Sequence, residues 1–174
     1  MVPDRSRMAL ISDEYRAVNR KMHETSSVYG SKGGRKWSQA VEQMRREYGG
    51  VTVLDYGCGK GSLQGENIRR YDPAVPEFSA DPEPADIVLC SDVMEHVEAE
   101  CIDDVLDHIR SLTLKVALFI IVCRLSGEIL PDGRNAHISV HEPEWWRQKI
   151  ADRFRIKSLK VTTAEVICYA EPEA

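Results

Sequence analysis

Asp55 and the three glycines that follow it are the residues best placed to do chemistry. The run Val51-Thr-Val-Leu-Asp-Tyr-Gly-Cys-Gly-Lys-Gly61 ends a short apolar stretch on a carboxylate and then sets glycines at 57, 59 and 61. Glycine accepts positive φ and has no side chain, so a ligand can rest on bare backbone there. A dinucleotide loop reads GxGxxG, with its third glycine three positions after the second; Ser62 stands at that position here, and the run is GxGxG. A carboxylate at Asp55 repels a pyrophosphate and suits a ligand with ammonium and sulfonium charge. Asp72 lies 17 positions later, closing Arg70-Tyr71-Asp72-Pro73. An acid so placed can accept two hydrogen bonds from a ribose diol.

Proton transfer has separate candidates. His96 and His137, with His141 third, carry imidazoles whose ordinary titration range suits a general base. His96 also fits a brace at a strand-to-helix turn, and His137 a structural hydrogen bond. On a helix, Asp92, Glu95 and His96 would share one face by their i, i+3, i+4 spacing. With His137 or His141 they have the oxygen and nitrogen donors of a site for Mg²⁺ or a transition metal. Arg134 sits in Pro131-Asp132-Gly133-Arg134-Asn135, a strong turn, where it either holds a substrate carboxylate or phosphate bidentately or is simply solvated.

The elements that must position these residues alternate. Residues 12–24 read as a helix with Ser12 as N-cap. Residues 26–34 are a glycine-rich loop. Residues 35–48 read as a second helix, with Trp37, Val41, Met44 and Tyr48 spaced three or four apart and Gly49-Gly50 ending it. Then come strands at Val51–Tyr56, Ile68–Tyr71 and Asp86–Cys90, and an amphipathic helix over Glu95–Leu112. The most buried strand is Val116–Cys123. A helix over Pro143–Arg153 carries Trp145 and Trp146, which read as core, and strands at Phe154–Val161 and Glu165–Ala170 close the chain. Strands alternating with helices predict a mostly parallel sheet covered on both faces.

Bulk properties set limits. The 174 residues fit one domain with a real core. The apolar run Val116–Cys123 is far too short to cross a bilayer, which takes about 20 residues. Met1–Met8 is charged and no apolar stretch follows it, so no secretory signal is expected and a cytoplasmic location is the default. The five cysteines, at 58, 90, 101, 123 and 168, show no CxxC pair, against a zinc ribbon or a disulfide framework. Residues 1–70 hold 13 Lys/Arg against 8 Asp/Glu, and residues 71–174 hold 10 against 20. Solvated helix faces account for the basic excess better than an anionic partner does. No basic tract with interleaved aromatics points to nucleic acid.

With these residues in place, VLDYGCGKG resembles the first motif of class I S-adenosylmethionine-dependent methyltransferases, and Asp72 matches their acidic second motif. Asp86–Asp92 followed by Val93-Met94-Glu95-His96-Val97 is similar to the family's post-strand segment. His137-Ile138-Ser139 through Pro143-Glu144-Trp145 is similar to the approach to its late helix. The likeness covers about residues 50–170. It implies a Rossmann-like α/β sandwich that binds S-adenosylmethionine and releases S-adenosylhomocysteine. Asp55, Tyr56, Gly57, Cys58 and Gly59 would surround the methionine part, Asp72 and Pro73 the ribose. Ser91 and Asp92 would line the methyl-transfer site, with His96 or His137 as base. Residues 1–48 would form a helical cap over the domain 49–174, with Tyr15, His23 and Tyr29 facing the acceptor; Tyr29, Arg134 and His141 are the expected substrate contacts.

Departures from the family refine the expectation. Only 12 residues separate Asp72 from Ala85, and Pro73, Pro76, Pro82 and Pro84 leave no room for the usual helix, strand and helix. The sheet should lack its outer strand or keep a stub near Phe78, with Glu77 or Asp81 reaching the adenine. The (D/N)PP(Y/F) motif and the Pro-Cys pair of DNA base methylases are missing, which excludes DNA. The D-x-x-E-H of Asp92–His96 resembles the E-x-x-E-H of metal-dependent small-RNA ribose methyltransferases and of some quinone-precursor methyltransferases, yet its first acid differs. The expectation is therefore metal-free O-methylation of a small molecule. A metal-dependent RNA ribose methyltransferase and a non-catalytic cofactor-binding subunit are the alternatives.

Overall fold

A computed structural model describes residues 9–31 and 33–173. The stretch Met1–Met8, read above for a secretory signal, lies outside them. Six strands form one sheet: β1 (Val53–Tyr56), β2 (Ile68–Tyr71), β3 (Ala85–Ser91), β4 (Thr113–Val122), β5 (Phe154–Val161) and β6 (Glu165–Pro172). Their order is β2-β1-β3-β4-β6-β5. The first four run parallel, and β6 lies antiparallel between β4 and β5. All four residues of β1 are buried, as expected for a central parallel strand covered on both faces.

Two apolar layers hold the sheet. On one face, α4 (Ile102–Leu112) and α5 (Pro143–Ala151) press Val105, Ile109, Trp146 and Ile150 against Leu54, Val88 and Phe119. Phe119 meets Phe154 edge to face with centroids 5.4 Å apart. Each such large side chain, fully buried, contributes roughly 1.5–3 kcal/mol. On the other face, α3 (Ser38–Tyr48) lays Val41 and Met44 on Val53, Ile87 and Leu118. So α3, placed within the 1–48 cap from sequence, is a layer of the sandwich. The true cover is α1 (Asp13–Thr25), with the loop that follows it and the short α2 (Gly33–Lys36). Ser12 caps α1 by accepting the Tyr15 N–H, and Glu98 takes both the backbone N–H and the hydroxyl of Ser12 at 2.7 Å.

The shortened region is as the prolines dictate. Residues 72–84 hold one 3₁₀ turn, Pro76–Phe78, and β2 is the edge strand, with no strand beyond it among the described residues. Residues 57–67 join the parallel strands β1 and β2 without a helix. Leu63, 1% exposed, fills the place a crossover helix would take and packs with Val41 and Met44.

One expectation fails. The helix read over Glu95–Leu112 begins only at Ile102, after 3₁₀ turns at Met94–His96 and Ala99–Cys101. Asp92 is left-handed at φ +56, and Val97 and Glu98 are extended, so no continuous α-helix can run through this stretch. Asp92, Glu95 and His96 therefore do not share a helical face. Among the described residues, no helix is long and apolar enough to cross a membrane.

Candidate functional site

A cavity of about 400 Å³ opens at the carboxyl ends of β1 and β3, beneath α1 and the loop after it. That volume falls in the range of small-molecule sites, roughly 300–1,000 Å³. Its floor is the glycine loop. Gly57 (φ +72) and Gly59 (φ +52) adopt left-handed backbone. The N–H groups of Gly57 and Cys58 both turn back to Tyr71 O on β2. A Cβ at Gly59 would stand 2.6 Å from Gly30 O, so the cover touches the floor backbone to backbone, and the Lys60 N–H donates to the same carbonyl at 2.8 Å.

Two acids face this floor. Asp55 is 4% exposed, and its Oδ2 is buried with no partner. Burial raises its carboxyl to about 7, against the opposing pull of Arg70, and the neighbouring Asp72 adds to the rise. Asp72 accepts the Gly59 N–H on Oδ2 at 3.0 Å and the Ala74 N–H on Oδ1 at 2.9 Å, which fixes its carboxylate at the cavity wall. Tyr56, Cys58, Pro73, Ser91 and Asp92 complete the expected lining, all in the cavity wall. No helix follows the glycine loop, so the aligned N–H groups and positive dipole that hold a pyrophosphate in dinucleotide folds are missing. A buried acid with one unpartnered oxygen stands there instead.

The other end of the cavity carries the histidines. His96 Nδ1 meets Ala136 O at 2.7 Å, and His137 Nδ1 meets Arg124 O at 2.6 Å. A carbonyl only accepts, so each Nδ1 carries the proton and each Nε2 keeps its lone pair. Their rings stand edge to face, 4.8 Å apart. Burial pushes His96 down to about 3, helped by repulsion from His137. Glu95 is fully buried; its Oε1 accepts the Val122 N–H, its Oε2 has no partner, and burial with nearby Asp92 lifts it to about 8. Glu95, His96 and His137 bring one donor atom each within 4.8 Å of the others, the grouping a divalent cation would need.

Tyr15, Asn19, His23 and Tyr29 close the roof. Tyr29 donates to Asn19 Oδ1 at 2.7 Å and lies 3.3 Å from His96 Nδ1. Sequence reasoning missed Asn19 and Gly30; the signal for Asn19 was a polar residue on the buried stripe formed with Tyr15 and Met22. The remaining candidates lie outside the cavity wall. Arg134 forks onto Asp132 Oδ2 at 2.6 and 2.8 Å, with its guanidinium over the Tyr15 ring. His141 stacks on Trp145 at 3.7 Å. Glu77 and Asp81, expected at the adenine, are not part of the lining either.

The strand order, the single reversed strand beside β4 and the glycine loop at the end of β1 define the Rossmann-like fold of class I S-adenosylmethionine-dependent methyltransferases. Solved structures of that fold superpose on most of the chain. The 1,6-didemethyltoxoflavin-N1-methyltransferase of Burkholderia thailandensis, with 1,6-didemethyltoxoflavin and S-adenosylhomocysteine bound, is 19% identical over 92% of this chain and 90% of that one, with a TM-score of 0.64. A S-adenosylmethionine-dependent methyltransferase of Clostridium acetobutylicum gives 12%, 93%, 100% and 0.61 by the same measures. The magnesium protoporphyrin IX methyltransferase of Synechocystis, with S-adenosylmethionine bound, gives 16%, 95%, 99% and 0.59. No protein-family model and no curated protein matches the sequence.

Proposed function

We propose that this protein is an S-adenosylmethionine-dependent methyltransferase acting on a small-molecule nucleophile. The observation that carries the reading is the partnerless, buried Asp55 Oδ2 beside a glycine loop with no helix behind it. Asp55 pairs with the ammonium of the cofactor's methionine part. Asp72 accepts the ribose hydroxyls on the lone pairs its backbone bonds leave free. Pro73, Ala74 and Val105 supply an apolar wall for the adenine. The bound cofactor supplies an electrophilic methyl group on a sulfonium, which departs as a neutral thioether and needs no anion stabilisation.

The chain's own work is then to hold the acceptor about 3 Å from that methyl, in line, and to take its proton. His137 takes it. Its Nδ1–H is pinned to Arg124 O, which leaves Nε2 as acceptor, and its ring lines the cavity. His96 braces: burial makes its charged form too costly for it to take up a second proton. The acids Glu98 and Glu128 in the wall disfavour a polyanionic acceptor such as RNA. The small molecule bound in the Burkholderia structure, 1,6-didemethyltoxoflavin, supports a small-molecule acceptor here.

Calorimetry with S-adenosylhomocysteine tests the cofactor. Binding that is lost in Asp72→Ala is expected; a preference for NAD would sink the assignment. For the base, His137→Gln is expected to lower the transfer rate at least about 100-fold with cofactor affinity unchanged. Equal rates in the two proteins would remove His137 from the reaction. Loss of transfer on adding a chelator would move proton handling to a cation held by Glu95, His96 and His137.

A further inference from the structure

We infer that His23, on the covering helix, is a cofactor-positioning residue whose Nε2 shares one ribose hydroxyl with Asp72. The inference deepens the proposed function and rests on the reading that this cavity takes an S-adenosyl ligand. His23 stands in the last turn of α1 and reaches down to Asp72 in the cavity wall. Its Nε2 lies 3.9 Å from Asp72 Oδ2, and the two side chains are 12% and 10% exposed. That gap is too long for a direct hydrogen bond. A hydroxyl oxygen about 2.8 Å from both atoms spans it with an angle of roughly 90° at the oxygen.

The chemistry of the two groups is complementary. Asp72 is held by the Gly59 and Ala74 N–H groups and has acceptor capacity to spare. It accepts a hydrogen bond from the hydroxyl. His23 Nδ1 is buried without a partner against Gly30, where a Cβ would come within 2.9 Å of it. Only Nε2 is left to meet a ligand, as an N–H donor to the hydroxyl's lone pair. The ring is held edge-on by Tyr29, at 4.8 Å and 64°, and Tyr29 in turn contacts Asn19 and His96. Burial and Lys60 keep the imidazole neutral against the pull of Asp72, which suits a donor to a hydroxyl. The ribose is then gripped from below by the sheet and from above by the cover.

The test is calorimetry with S-adenosylhomocysteine and its 2′-deoxy and 3′-deoxy analogues, on wild type, His23→Phe and His23→Gln. His23→Phe keeps the ring on Tyr29 and removes the donor; circular dichroism and thermal melting confirm its fold. Wild type is expected to lose about tenfold in affinity for one deoxy analogue. His23→Phe should lose about tenfold for S-adenosylhomocysteine and show a smaller penalty for that same analogue than wild type does, the remainder being the contact to Asp72. His23→Gln, with an amide N–H near the position of Nε2, should recover part of the loss. An unchanged affinity in His23→Phe, or an undiminished deoxy penalty, overturns the inference while the cofactor reading stands. A wild-type protein that does not bind S-adenosylhomocysteine overturns both.

Discussion

Asp55→Asn is expected to make the protein more stable at pH 8 and, in the same step, to weaken its hold on the cofactor. The folded state raises this carboxyl from 3.8 to about 7, with burial the main cause. Between those values the native protein binds more protons than the unfolded chain, so stability falls as pH rises, and the cost is complete above about pH 7. Every tenfold change in proton affinity corresponds to about 1.4 kcal/mol, which sets a ceiling of about 4 kcal/mol; relaxation around the site brings a realistic gain to about 2 kcal/mol. Asparagine keeps the shape and removes the charge. Urea unfolding should show the gain at pH 8 and most of it gone at pH 4.5. Binding moves the other way. A lost charge-assisted contact costs about 1.5–3 kcal/mol, so affinity for S-adenosylhomocysteine should fall at least about tenfold. The wild type should also bind progressively worse as pH drops below about 7, where Asp55 takes up its proton. A variant that binds as well as wild type would show that Asp55 serves the fold alone.

That opposition explains why the site was easier to read from sequence than the elements around it. Asp55 and the glycines break local rules in a contiguous run, a buried charge and repeated left-handed backbone, and such breaks stand out without tertiary knowledge. Asp72 was legible for the same reason, at the end of a strand that pairs in register with β1. The edge position of β2 followed from four prolines, which act locally. Glu95–His96 was misread because its apolar spacing, with Val97, Cys101 and Val105, fits a helix equally well. The competing fact is tertiary: Val122 N–H draws the Glu95 side chain into the core, and Glu98 is spent on Ser12. Arg134 and His141 had suitable chemistry and no positional information. Asp132 and Trp145, both close in sequence, took them. Trp37 shows the limit from the other side: its periodicity was right, yet the helix breaks there into α2 and α3, with Trp37 itself outside helical geometry at φ −104 and ψ 8.

The contact between cover and floor makes the second large prediction. Gly59→Ala would place a Cβ 2.6 Å from Gly30 O and 2.7 Å from Gly30 Cα, and both are backbone atoms that no rotamer change can move. The left-handed φ of +52 adds about 1–2 kcal/mol for a non-glycine residue. The cheapest relief is for the loop bearing Gly30 to lift, which breaks the Lys60 N–H bond to Gly30 O and carries Tyr29 and His23 off the cavity. Overpacking of this kind costs about 1–3 kcal/mol, so total destabilisation should be about 2–5 kcal/mol. Affinity for S-adenosylhomocysteine should fall about 100-fold, since both walls of the site separate. Gly49→Ala is the control: φ there is +59, and nothing lies within 4 Å of the added Cβ. It should lose only the left-handed penalty and bind cofactor as wild type does. Hydrogen exchange along α1 distinguishes the two variants, because only lifting of the cover exposes its amides. If both behave alike, the glycine at 59 answers to its own dihedral angle, and the cover does not depend on the floor.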